Sequence, residues 1–210
     1  MTVTNTVEHG CRRLDGAFNS AQRQYPNFDS GWALGLHTTL NKLTGSFERT
    51  TLGTLVYNMK YKSDASALST LASLMVARIK ERLAEFGLDS TFFSAVVPAP
   101  PSDLTRRLQP TVELAKRIAK ELGIACDTDC IYKSASTTTM KSIDNYHDKV
   151  DLLRPALRSS DKRYAGKRVL VIDDIVDSGA TLDCVAGALK EQGGVKNVYV
   201  CCATETFGKR

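Results

Sequence analysis

The chain contains no C-x-x-C pair. Its six cysteines, Cys11, Cys126, Cys130, Cys184, Cys201 and Cys202, have spacings that support neither a zinc ribbon nor a thioredoxin-type motif. Cys184, Cys201 and Cys202 fall in apolar stretches, where a free thiol behaves as a small buried hydrophobe. No apolar run approaches the ~20 residues of a membrane span, and the first six residues lack the basic-then-apolar layout of a secretory leader. The expectation is a cytoplasmic protein with no membrane partner. G-x-x-x-x-G-K-[ST] and G-x-G-x-x-G are both absent, which argues against a P-loop and against a dinucleotide fingerprint. No repeat, low-complexity tract or long linker interrupts the chain. Aromatic residues interleave with lysine only at Tyr57-Asn58-Met59-Lys60-Tyr61-Lys62. That is the pattern of a single-stranded nucleic-acid surface, but the apolar spacing around it reads better as a core-facing helix.

What is present suits an α/β unit. At 210 residues the chain can bury a full core. Its net charge of +5 is uneven: +2 over residues 1–90, +5 over 91–170 and −2 over 171–210. A local basic surplus focuses an anionic ligand, and nucleic acid is the second candidate. Apolar residues recur at helical spacing over 46–61 (Leu52, Leu55, Val56, Met59) and over 64–86 (Leu68, Leu71, Ala72, Met75, Ile79, Leu83). A strand is expected over 92–97, stopped by Pro98, and a helix over 111–122, stopped by Gly123. Short strands over 131–133 and 197–203 flank a loop-like stretch, 134–148. Strands alternating with helices imply a parallel sheet with right-handed crossovers. The expected division is an N-terminal helical hood, 1–90, and a core, 91–210, with Trp32, Leu34, Leu36 and Leu40 covering a sheet edge or forming a lobe over the site.

The densest stretch is Val169-Leu170-Val171-Ile172-Asp173-Asp174-Ile175-Val176-Asp177-Ser178-Gly179-Ala180-Thr181. Four β-formers without polar alternation suit a parallel strand covered on both faces, so Asp173 and Asp174 fall at its carboxyl end, where open α/β sheets bind ligands. Two adjacent carboxylates there are acceptors suited to neighbouring sugar hydroxyls. The small residues and hydroxyls from Asp177 to Thr181 precede an apolar-periodic helix, whose first turn offers unpaired N–H groups and a positive dipole end to a phosphate. A second constellation, Val96-Val97-Pro98-Ala99-Pro100-Pro101-Ser102 followed by Arg106-Arg107, is a strand, a rigid proline-rich turn and a helix. It places backbone amides beside the same edge, and Ala99-Pro100 or Pro100-Pro101 is a candidate cis bond.

The first run resembles the phosphoribosyl-pyrophosphate (PRPP) signature of type I phosphoribosyltransferases. The surrounding order of motifs, from Lys60-Tyr61-Lys62 through Arg106-Arg107-Leu108-Gln109, Thr137-Thr138-Thr139, Asn145 and Leu152-Leu153, is similar to the ComF family over about residues 50–207. These are competence-associated, amidophosphoribosyltransferase-like proteins. The resemblance implies a Rossmann-like parallel-sheet core under a helical hood, and transfer of phosphoribosyl from PRPP to a nitrogen acceptor with release of pyrophosphate. It implies that Asp173 and Asp174 hold the ribose hydroxyls in the catalytic centre, that residues 173–181 bind PRPP and that Asp177 to Thr181 wrap the 5-phosphate. Ala99, Pro100, Pro101, Ser102, Arg106 and Arg107 would form the pyrophosphate loop, and 134–148, with Thr138, Thr139 and Lys141, a lid. Mg²⁺ would be held through ligand oxygens and water rather than by a protein cluster. Lys60 and Lys62 could reach a phosphate or snorkel at a helix end; the second reading is favoured. His147 could titrate near neutrality, though a lone loop histidine is more often on the surface. The other class left open is a non-enzymatic protein of the ComF type, binding PRPP, a nucleotide or single-stranded nucleic acid in competence or DNA uptake. A homodimer is the remaining partner expectation.

Overall fold

The computed structural model describes residues 12–13, 27–101, 103, 109–134, 143 and 145–206. In chain order the strands are β1 (Arg12–Arg13), β2 (Ser30–Leu36), β3 (Thr38–Leu40), β4 (Phe47–Arg49), β5 (Ala95–Pro98), β6 (Ala125–Cys126), β7 (Ile131–Lys133), β8 (Leu157–Ser159), β9 (Arg168–Val176) and β10 (Asn197–Glu205). The helices are α1 (Thr51–Lys62), α2 (Ala65–Ala84), α3 (Pro110–Leu122), α4 (Tyr146–Leu153) and α5 (Ala180–Glu191). A six-stranded sheet runs β1-β2-β10-β9-β5-β6. All its pairs are parallel except β1 with β2. This is the α/β architecture expected from the alternating pattern.

Strand β9 lies between β10 and β5 and is apolar because both its faces are covered. Its two-residue period sends Val169 and Val171 to one side, packed with Leu182, Val185 and Leu189 of α5 and Val150 and Leu153 of α4. Leu170 and Ile172 go to the other side, against Met59 of α1, Leu71, Met75 and Ile79 of α2, and Leu114 and Ile118 of α3. Local chemistry sets the helix ends. Thr50 accepts the Gly53 N–H at 3.0 Å to cap α1, Asp64 accepts those of Ser66 and Ala67 to cap α2, and Pro110 opens α3, which closes on Gly123 at φ 71°.

Several expectations shift. Residues 1–90 supply α1 and α2, but also β2, a strand of the main sheet beside β10 that carries Trp32 and Ala33 into the core. The helix expected from residue 46 starts at Thr51, because Phe47–Arg49 pairs with Thr38–Leu40 as an antiparallel hairpin and Thr50 is already the cap. The backbone leading into the hairpin passes close over Gly53, where a Cβ would meet the His37 carbonyl oxygen at 2.0 Å. The strand expected over 92–97 starts only at Ala95, after a 3₁₀ turn at Ser90–Phe92, and it includes Pro98. Pro98 is tolerated because β6 pairs only as far as Val96, so the missing N–H faces no ladder partner. Strand β7 is outside the main sheet, paired antiparallel with β8. No peptide bond among the described residues is cis, so Ala99-Pro100 and Pro100-Pro101 are trans. The loop expected over 134–148 gives way at Tyr146 to α4, capped by Asn145. Among the described residues no helix is long and apolar enough to cross a membrane.

Candidate functional site

A cleft of about 430 Å³ opens at the carboxyl edge of the sheet. Its floor is contiguous in sequence: Asp173 to Val176 at the end of β9, then residues 177–181, then Leu182 of α5. Gly179 takes φ 81° and stands at the N-cap of α5, a conformation that favours glycine, and the Ser178 hydroxyl accepts the Ala180 N–H at 3.4 Å. Within the expected PRPP-binding stretch, Ile175 and Val176 are strand residues whose side chains pack into the two cores. Ala99, Pro100 and Pro101 line the opposite rim. Ser102, Arg106, Arg107, Thr138, Thr139 and Lys141 lie outside the described residues.

The strand period separates the two acids, and they meet different surroundings. Asp174, on the face of Leu170 and Ile172, takes an ion pair from Lys60 of α1 at 2.9 Å and a hydroxyl hydrogen bond from Thr111 of α3 at 3.1 Å. Lys60 therefore points into the cleft instead of snorkelling. Burial opposes the Lys60 charge, but Asp174 and then Asp173 outweigh it, and the lysine pKa is raised. Asp173, on the other face, accepts the Asp174 N–H at 2.8 Å. Burial and the neighbouring Asp174 push its carboxyl up to about 7, against the pull of Lys60 and Lys133. The site thus pairs a charged acid and lysine with a second acid poised to change protonation near neutrality.

The walls hold residues that no local motif announced. Lys133 of β7 reaches the cleft, its pKa lowered by burial and partly restored by Asp173. Lys149 of α4 donates to Asp177 at 2.9 Å, and Asp177 also accepts the Thr206 hydroxyl at 2.7 Å. Behind them Asp183 of α5 accepts the backbone N–H of Asn27 and, at 3.0 Å, the Tyr146 hydroxyl. This joins α4 and α5 under the loop. Burial raises the Asp183 pKa against those hydrogen bonds. Among the described residues no cluster of three or more His, Cys, Asp or Glu side chains is arranged to hold a metal.

Residues 109–206 match the family model of the phosphoribosyl transferase domain. The matched span holds α3, β9, the loop, α5 and β10. That model describes the phosphoribosyl transferase domain in general and does not single out the ComF branch. No curated protein matches the chain. Among solved structures, adenine phosphoribosyltransferase from Saccharomyces cerevisiae is similar at 16% identity over 82% of this chain and 92% of that one, with a TM-score of 0.42. A hypoxanthine-guanine phosphoribosyltransferase from Leishmania tarentolae is 12% identical over 69% of this chain and 79% of that one, with a TM-score of 0.39. Phosphoribosylpyrophosphate synthetase from Mycobacterium smegmatis is 20% identical over 64% of this chain, with a TM-score of 0.40. The chain spans only 33% of that synthetase's length.

Proposed function

We propose that the chain is a phosphoribosyltransferase that uses PRPP with Mg²⁺, transfers phosphoribosyl to a nitrogen acceptor and releases pyrophosphate. The observation that carries this reading is the unbroken floor of the cleft, an acid pair at a strand end running straight into a glycine-bearing loop and a helix start, inside the segment that matches the phosphoribosyl transferase domain. In this reading Asp173 and Asp174 accept hydrogen bonds from the ribose 2- and 3-hydroxyls. The loop amides and the hydroxyls of Ser178 and Thr181 receive the 5-phosphate. The backbone of Ala99, Pro100 and Pro101 faces the pyrophosphate.

Mg²⁺ usually keeps several waters and binds substrate phosphates. Here it would be held through pyrophosphate and ribose oxygens and water, with Asp173 and Asp174 on the cleft floor holding it through the ribose hydroxyls whose hydrogen bonds they accept. Bound there, the ion would neutralise charge on the departing pyrophosphate. The reaction breaks the C1–oxygen bond, with the electron pair leaving on pyrophosphate, and forms a C1–nitrogen bond as the acceptor nitrogen loses a proton. Positive charge develops on the sugar ring between these events. The Asp173 carboxylate, close to the ring when ionised, stabilises it electrostatically. Lys60 and Thr111 fix Asp174, so the acid is oriented before ligand arrives.

The test is a pyrophosphate-release assay with PRPP and Mg²⁺ across free nucleobases and ammonia, with the D173N/D174N variant as a blank. Release with one acceptor and none in the blank is the expected result. Absence of release with every acceptor, or equal release from the blank, overturns the assignment.

A further inference from the structure

Lys149 is a wall residue of the cleft that pairs with the loop and not with the acid pair. Its helix, α4, is fixed from below by Val150 and Leu153 in the core and at its start by the Tyr146–Asp183 hydrogen bond. Packing therefore holds the lysine stem, and the side chain retains only 11% of its exposure. Its partner Asp177 retains 61%. The pair is asymmetric: a buried ammonium needs an anion wherever it sits, whereas an exposed carboxylate is readily solvated by water. Asp177 is also the first residue of the loop, and it keeps the Thr206 hydroxyl as a second partner. The ammonium thus touches the residue that opens the loop, and it lines the same cleft as residues 178–181.

We propose that Lys149 is a further phosphate-binding residue of this cleft, exchanging Asp177 for the dianion of a phosphomonoester seated on the loop. Asp177 is then an internal competitor. It occupies the ammonium in the empty site and yields it to a ligand of higher charge, so a neutral sugar gains nothing from the lysine. The inference rests on the reading of residues 177–181 as the 5-phosphate seat. It adds to that seat a cation from a helix outside the signature.

Calorimetry with ribose 5-phosphate, with PRPP plus Mg²⁺ and with pyrophosphate plus Mg²⁺, at one ionic strength, separates the outcomes. Lys149→Met should weaken ribose 5-phosphate and PRPP by about tenfold or more, the loss expected for one charge-assisted hydrogen bond, and leave pyrophosphate unchanged. Asp177→Asn keeps an acceptor for Thr206 but removes the competing charge, so it should bind ribose 5-phosphate more tightly than the parent chain. The opposite signs are the signature of exchange. If Lys149→Met binds ribose 5-phosphate as the parent does, or weakens pyrophosphate equally, the inference is wrong. It is also wrong if Asp177→Asn weakens binding as Lys149→Met does, since the lysine then only positions Asp177. A parent chain that binds neither ribose 5-phosphate nor PRPP removes the phosphoribosyl reading together with the inference. A parent that binds both, with an unchanged Lys149→Met, removes the inference alone.

Discussion

The floor and the walls of the cleft are built in opposite ways. The floor comes from one stretch of chain, β9 to α5, in which each residue's place follows from its neighbour. The walls come from Lys60 on α1, Thr111 on α3, Lys133 on β7 and Lys149 on α4, which only the packing of the sheet and helices brings to one place. The floor carries the acids and the walls carry the lysines that hold them. Binding groups can be encoded locally, then, while the electrostatic setting that tunes them is a property of the whole fold.

Breaking the floor should have the largest effect. The D173N/D174N variant loses two charge-assisted acceptors worth ~1.5–3 kcal/mol each, so PRPP affinity should fall on the order of a hundredfold or more. Calorimetry on the folded variant checks it, and unchanged affinity would remove the acids from the site. Breaking a wall comes next. Lys60→Met leaves the Asp174 carboxylate buried without its cation, at a cost of about 1–3 kcal/mol in stability. The further change Asp174→Asn should restore most of that, so a double-mutant cycle by urea melts should show strong coupling; additive losses would mean the pair is not a unit.

A smaller effect tests how far the walls tune the floor. The folded pKa of Asp173, about 7, lies above that of an unfolded aspartate, ~3.9. The native state therefore binds the extra proton between these values, and this group's contribution to stability falls as pH rises from about 4 to about 7, then levels off. The Asp173→Asn variant should lose that part of the slope when melts at pH 5 and pH 8 are compared. An identical slope in both proteins would mean that Asp173 is ionised throughout. The last test leaves the cleft chemistry alone. Gly53→Ala must move the His37 carbonyl away from its Cβ, costing about 1–3 kcal/mol by overpacking, while PRPP affinity per folded molecule stays unchanged. Thermal melts beside calorimetry read both, and an affinity loss would place the hairpin β3–β4 in the site.

The same contrast explains what could be read from the chain. Val169 to Thr181 was legible because its strand, acids and loop are consecutive and the apolar run admits one setting, a parallel strand covered on both faces. Helices α1, α2 and α3 were legible from periodicity. Strand β2 was not, since Gly31, Gly35 and a single Trp32 give it no strong β signal, and its place beside β10 depends on long-range pairing. In the sequence Lys60 looks like a solvated helix end, because helical spacing fixes a residue's face but not what the fold sets opposite it. Lys133 stands in a segment that reads as a short strand and Lys149 one residue past the stretch that reads as a loop, and only the folded chain turns the first toward Asp173 and the second toward Asp177.

The pairing of β7 with β8 has a consequence of another kind. Ser134 donates both its backbone N–H and its hydroxyl to the Ala156 carbonyl, at 2.8 and 3.1 Å, so the chain between those residues leaves and returns through a clasp off the main sheet. Closing such an excursion costs entropy that grows only logarithmically with its length, about 0.6 kcal/mol per doubling. A change of chain length between Ser134 and Asn145 therefore costs the main sheet little, whereas α4 itself is tied to the core by Val150 and Leu153. Insertions between the clasp and α4 are the changes of chain length that carry little thermodynamic risk for the floor of the cleft.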